Sequence, residues 1–316
     1  MIYIKLTRGV GNQLFQLAFG YILQLKFNDG LCFDDSEGTS YGVVRGLENG
    51  KKSPISSFKI SDGFIATQKF NCRIELKFIL LKVYSFIIRV IPKLLNNKDL
   101  QLKIEHITSP LLNKKGYFYS QLGYVPVYYT YKGKDKIAYG NFMSSKYWGE
   151  YKDLIYHVIK DNIKSYNSSY LKEIRNTNAV CIHVRKGDYC DKRYKMLDVC
   201  DSSYYENAIK IMKEKIENPT FFVFSNDFKW CEEYLKGIDA QIVFVVENSE
   251  RKPLQDLFLM SNCKNYIISN SSFSWWGQFL SDNNNNKIVI APRNFVKGKH
   301  NHSLAQGLIE ETWVLV

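Results

Sequence analysis

The stretch Asn178-Ala179-Val180-Cys181-Ile182-His183-Val184-Arg185-Lys186-Gly187-Asp188-Tyr189 decides how the chain is to be read. Its first half is an apolar run with the length and composition of a strand buried on both faces, as parallel sheets contain. Its second half carries a histidine, an arginine and an aspartate off the strand's carboxyl end within six residues. In open α/β sheets that edge is where ligands bind. Arginine there suits a phosphate, because its planar fork stays charged and donates two parallel hydrogen bonds. Gly187 permits a sharp turn and brings backbone amides close to a ligand. A strand end closed by a surface Arg-Asp ion pair fits the same residues equally well.

Working outward, the pattern after residue 165 is regular. Strands are expected at 179–184, 221–225, 242–246, 265–269 and 287–291, with helices at 203–217, 228–236, 253–263 and 272–281. Such alternation predicts a parallel doubly wound sheet. Two more strand ends carry polar side chains. Phe221-Phe222-Val223-Phe224-Ser225-Asn226-Asp227 offers a carboxylate suited to the N1 and exocyclic amine of guanine, and equally suited to capping the next helix. Ile267-Ile268-Ser269-Asn270-Ser271-Ser272-Phe273-Ser274-Trp275-Trp276-Gly277 runs from a strand through hydroxyls straight into a helix. A helix amino end has free N–H groups and partial positive charge, which makes a pyrophosphate cradle. The plainer alternative is a serine N-cap with both tryptophans in the core.

The amino end repeats the theme. Residues 2–6 read as a strand, Thr7-Arg8-Gly9-Val10-Gly11-Asn12-Gln13 as a glycine turn, and Leu14, Ala18, Tyr21, Ile22 and Leu25 as one helical face. Asn12 is expected to cap that helix and Asn28-Asp29-Gly30 to end it, before a strand at 31–33. The turn is G-x-G-N-Q rather than G-x-G-x-x-G, and no acidic residue convincingly ends the second strand, so no nicotinamide site is expected. Residues 36–136 give no chemistry. A strand ends near Tyr139-Gly140-Asn141, and the boundary between domains is expected about there, giving 1–150 and 151–316.

The length of 316 residues exceeds what one growing core usually holds, which also argues for two domains. The net charge of +12 favours an anionic partner: nucleic acid, a membrane surface or a nucleotide-linked substrate. Lys69, Arg73, Lys77, Lys82, Arg89, Lys93 and Lys98 cluster against only Glu75 and Asp99. That stretch fits a buried helix with basic edges, or a basic amphipathic helix resting on an anionic membrane. Charges and Pro92 break it as a membrane span. Seven scattered cysteines without C-x-x-C suit free thiols in a reducing cytoplasm, and no signal peptide is expected. No D-x-D and no carboxylate cluster appears, so no metal is expected. Nucleic-acid binding finds no recognisable module, and a non-catalytic glycan binder would not need the strand-end arginine.

Taken together, Gly9-Val10-Gly11-Asn12-Gln13-Leu14-Phe15-Gln16, the 183–189 heptad, Phe224-Ser225-Asn226-Asp227 and residues 259–277 resemble the bacterial α-1,2-fucosyltransferases of glycosyltransferase family 11. Gly140–Trp148 and Cys200–Tyr205 resemble family stretches too. The likeness runs in order to Ile290-Ala291-Pro292, with residues 36–136 the main gap. It implies a GT-B-like α/β architecture of two facing Rossmann-like domains, the first on the acceptor side and the second binding GDP-fucose. It implies inverting, metal-independent transfer of fucose to O2 of a galactose, in an oligosaccharide or lipid-linked glycan for surface polysaccharide; another GDP-sugar donor or another linkage is the alternative. His183 and Asp227 would contact guanine, Arg185 the β-phosphate, and Ser271, Ser272 and Phe273 the diphosphate and sugar. Gly11, Asn12 and Gln13 would face the cleft, with Asn12, Arg185 and Asp188 as the catalytic set. Asp188 would act as general base, orient Arg185 or bind sugar. From the cysteines and the opening residues a cytoplasmic location is expected, with the basic stretch as the alternative contact at the inner membrane face. Lys186 replaces a usual second arginine, and Arg8 a usual glycine.

Overall fold

The computed structural model describes all residues but 8, 36–52, 61–62, 65, 68, 96, 164, 166, 191, 193, 247–252, 284–285 and 299–306, and describes only the backbone of Ile60, Gly63, Phe64, Ala66, Thr67, Lys98, Asp188 and Cys190. Arg8 and most of the turn-rich segment after residue 35 therefore lie outside the described residues. The chain divides into two compact units, Met1–Asn162 with Lys299–Leu308, and Ile163–Gly298 with Ile309–Val316.

In the first unit, β1 (Ile2–Lys5), α1 (Val10–Phe27) and β2 (Leu31–Asp34) open the fold. A small hairpin, β3 (Lys59–Ile60) and β4 (Gly63–Phe64), and β5 (Ala66–Thr67) follow. Helices α2 (Cys72–Leu94) and α3 (Lys98–Lys114) then lead to β6 (Tyr117–Ser120), β7 (Lys136–Gly140) and α4 (Lys152–Lys160). The main sheet has the order β5-β2-β1-β7-β6 and every pairing is parallel.

Helix α1 buries Leu14, Ala18, Tyr21 and Ile22 completely or nearly so, while Leu25, near its end, is exposed. It starts three residues earlier than Asn12 as the cap would require. Gly9 stands at the N-cap, and its carbonyl accepts from the Asn12 and Gln13 amides at 3.0 and 3.2 Å. Asn12 therefore sits inside the first turn. The end is as expected, with Asn28 in the left-handed region (φ 47°). One reading needs correction: β2 does end on an acid, Asp34. That carboxylate is buried against Lys5 Nζ at 3.4 Å, so it is used by the core.

The second unit is more regular. Its elements are α5 (Ser169–Asn176), β8 (Asn178–Val184), α6 (Ser202–Lys215), β9 (Pro219–Ser225), α7 (Phe228–Leu235) and β10 (Gln241–Phe244), followed by α8 (Pro253–Ser261), β11 (Asn265–Ile267), α9 (Ser272–Phe279), β12 (Val289–Ala291) and β13 (Val314–Leu315). The strand order is β10-β9-β8-β11-β12-β13, all parallel. This is the Rossmann order 3-2-1-4-5-6, whose direction of winding reverses between its first and fourth strands. Here the reversal falls between β8 and β11. The core is dense around it: Val180, Ile182, Phe221, Val223 and Ile267 are fully buried, as are Trp275 and Trp276 on α9. Both Rossmann-like sheets of a GT-B-like chain are thus present.

Candidate functional site at the carboxyl edge of the second sheet

Parallel strands deliver their carboxyl ends to one rim, and at the winding reversal the two flanking loops part and leave a crevice. His183, the sixth residue of β8, lies at that rim. Its Nδ1 is 2.5 Å from Ser274 Oγ and 3.2 Å from Ser269 Oγ, and the two hydroxyls are 2.9 Å apart. Ser269 follows β11 and Ser274 belongs to the first turn of α9, so the triangle fastens the helix start to the strand end. The ring also lies 5.6 Å from that of Phe273. On its other side the Tyr205 hydroxyl donates to the His183 carbonyl at 3.3 Å.

Arg185 follows, half-buried, with its guanidinium carbon 5.9 Å from the centre of the Tyr189 ring. Lys186 turns the other way. The residue is 4% exposed, and its ammonium lies 2.6 Å from Asp198 Oδ1 and 4.7 Å from the centre of the Trp230 ring. Lys186 is thus paired inside the fold. The next turn, Gly187–Cys190, is a short 3-10 helix. A Cβ on Gly187 would come within 2.5 Å of Asn226 Nδ2. Asn226 Oδ1 in turn accepts from the Lys186 amide at 3.1 Å, so glycine is what lets the β8 and β9 loops touch. Asp188 is in this turn, and its side chain lies outside the described residues.

Asp227 does cap α7: its Oδ1 accepts from the Trp230 amide at 3.1 Å. The cap engages one carboxylate oxygen, and a base-contacting role would fall to the other. Ser271 is the N-cap of α9 and accepts from the Phe273 amide at 3.3 Å. Ser272 and Phe273 are half-buried in its first turn. Asn270, between the strand and the helix, donates to the carbonyls of Leu197 and Phe295, both at 2.8 Å, and so ties three rim loops together. Beside them a cavity of about 380 Å³ is lined by residues including Asp201, Asn207, Arg293 and Lys297. Tyr204 forms part of its wall. The hydroxyl of Tyr204 donates to the carbonyl of Ile268 at 2.5 Å, and burial pushes its pKa well up.

Sequence reasoning missed Ser269, Ser274, Asn270 and the 292–298 loop as parts of this rim. The first three stand within the serine-rich run it singled out, and their strand-end position was the available signal. In the first unit, Gln16 fixes the corresponding rim, donating to Thr7 Oγ1 (2.8 Å) and to the Gly140 carbonyl (2.7 Å). Gly11 and Gln13 are buried, and Gln13 Oε1 accepts from the Ser53 hydroxyl at 2.6 Å. Asn12 is half-buried, its Nδ2 3.5 Å from Asn141 Oδ1.

Comparison with known proteins follows the same lines. The chain is 30% identical over 298 residues to an alpha-1,2-colitosyltransferase of Escherichia coli, covering 92% of this chain and 91% of that one. It is 28% identical to the O-antigen biosynthesis glycosyltransferase WbnK of E. coli, covering 99% of both. It is 31% identical over 105 residues to human galactoside alpha-(1,2)-fucosyltransferase 1, covering 32% of this chain and 28% of that one. With the sequence profile of glycosyl transferase family 11 matching residues 1–315, the chain belongs to that family.

Proposed function

We propose that this glycosyltransferase transfers L-fucose from GDP-L-fucose to O2 of a galactose in a glycan acceptor, with inversion and without a metal ion. The observation that carries the reading is the rim at the winding reversal, where Arg185, the His183-serine triangle and the amino end of α9 stand on neighbouring loops. As the anomeric bond lengthens, negative charge grows on the departing β-phosphate. Fixed donors aimed at developing charge are usually the largest catalytic term. Arg185 and the first-turn amides of α9 supply them here. His183 and the second oxygen of Asp227 contact the guanine, and Ser271, Ser272 and Phe273 line the diphosphate and the sugar. Asn12 acts on the acceptor side. Asp188 takes the proton of the attacking hydroxyl or else orients Arg185; a pH profile of transfer that is unchanged in Asp188→Asn would rule out the first role. The full-length likeness to an O-antigen enzyme favours an acceptor in surface polysaccharide.

A second reading is favoured by the colitosyltransferase relative, which matches over nearly the whole chain. Colitose is fucose without its 3-hydroxyl. A site that hydrogen-bonds that hydroxyl strongly rejects the sugar lacking it, whereas a purely apolar pocket discriminates weakly. The test is to offer GDP-fucose and GDP-colitose separately, with lactose or N-acetyllactosamine and EDTA, and to assign the product linkage by NMR. An α-1,2-fucosylated product is expected. Product only from GDP-colitose would move the assignment to the second reading, and a requirement for metal would remove the arginine-based mechanism.

A further inference from the structure

Helix α2 has two apolar faces, and among the described residues one packs in the core while the other is exposed. Ile74, Phe78, Leu81 and Ile88 are buried in the core cluster with Phe70, Tyr119 and Ile137. On the opposite side Leu76, Leu80, Val83, Phe86, Ile87 and Leu94 recur at helical spacing, and all are between 51% and 80% exposed. From Leu76 to Leu94 that stripe is about 27 Å long at the usual helical rise. A contiguous exposed apolar patch on this scale marks a docking surface.

The charges say what docks. Between Glu75 and Asp99 the chain carries no carboxylate but has Lys77, Lys82, Arg89, Lys93 and Lys98. By helical phase, Lys82, Arg89 and Lys93 fall on the border between the buried and exposed faces. Glu75 is already drawn to Lys5 Nζ at 2.8 Å. An antiparallel twofold contact between copies would set this patch against itself and bring the two cation rows together. An anionic lipid surface supplies the opposite charge and an apolar interior at the same time. No helix among the described residues is long and apolar enough to cross a membrane, so α2 would lie in the interface. We infer that the outer face of α2 docks this enzyme on an anionic phospholipid bilayer, with the apolar stripe at the acyl boundary and Lys82, Arg89 and Lys93 at the headgroups.

The test is co-sedimentation of the full chain with vesicles of phosphatidylcholine alone, and with phosphatidylglycerol added at roughly one lipid in four. Two variants accompany it, Leu80→Ser/Phe86→Ser and Lys82→Gln/Arg89→Gln/Lys93→Gln, each with light scattering for oligomeric state and circular dichroism for folding. The expected result is binding that requires phosphatidylglycerol and weakens at least about tenfold in each variant while both stay folded. Three outcomes would overturn the inference: no binding to either vesicle; binding unchanged in Leu80→Ser/Phe86→Ser, which is unspecific attraction of a basic protein; or no vesicle binding with a dimer that Leu80→Ser/Phe86→Ser dissolves, which gives the face to a second copy.

Discussion

His183 is held through one ring nitrogen by two serines that lie 86 and 91 residues further along the chain. Which nitrogen carries the proton is set by such a bond, so the serines decide what the other nitrogen offers a ligand. Ser274→Ala should therefore weaken GDP binding by about 1 kcal/mol, roughly fivefold, as loss of one hydrogen bond costs; calorimetry on the variant reads this directly. Lys186 gives a second prediction. Its ammonium is almost fully buried and its nearest counter-charge is Asp198, itself 32% exposed on its side chain, with Lys297 Nζ at 3.7 Å from the same carboxylate. Asp198→Asn leaves a buried cation opposite a neutral amide. After allowance for solvent at the rim this should cost about 2 kcal/mol, seen as a lowered denaturant midpoint. Neither pairing was readable from the sequence, because both join residues that only the fold brings together. The heptad's arginine and histidine were readable, because a strand end fixes where its residues must stand.

At the scale of elements, Gly187 and α3 give two more tests. Gly187→Ala puts a methyl within 2.5 Å of Asn226 Nδ2, the side chain that also holds the Lys186 amide. The Asn226 side chain must shift and loosen its hold on the Lys186 amide, so transfer should fall about tenfold or more while the melting temperature changes little, because misplaced catalytic groups lose rate steeply. In α3, Glu105 is buried and takes hydrogen bonds from Gln101 Nε2 (2.8 Å) and the Gln121 amide (3.0 Å). Burial raises its pKa from 4.5 to about 7 in spite of those bonds. The folded state thus binds the proton more tightly than the unfolded one. Stability from this group is complete below about pH 4.5 and is lost as pH rises through about 7, a swing on the order of 3 kcal/mol. Glu105→Gln should flatten that slope in denaturant titrations between these limits. Five of the six strands of the second sheet were legible, since apolar strands alternate there with helices; β13, only two residues long, was not. Residues 36–136 were not, for two physical reasons: β3, β4 and β5 are two residues long, and α2 is apolar on both faces with Pro92 inside it, which blurs its period.

For the whole molecule, the +12 charge has two separable uses. The α2 border holds one group of cations, and the second sheet's rim holds Arg185 with Arg293 and Lys297 nearby in the chain's later loops. Composition alone could not divide them; the strand order did, because a parallel sheet in the 3-2-1-4-5-6 order sends its ligand loops to one edge. The central claim is that Arg185 at this edge neutralises the diphosphate without a divalent ion. Calorimetric titration of GDP into wild type and Arg185→Ala, both in EDTA, tests it most directly. One-site binding to wild type is expected, with affinity lost by about tenfold or more in Arg185→Ala, as removal of a charged hydrogen-bond donor costs. Binding of equal strength in the variant, or no heat with wild type until a metal is added, would contradict it.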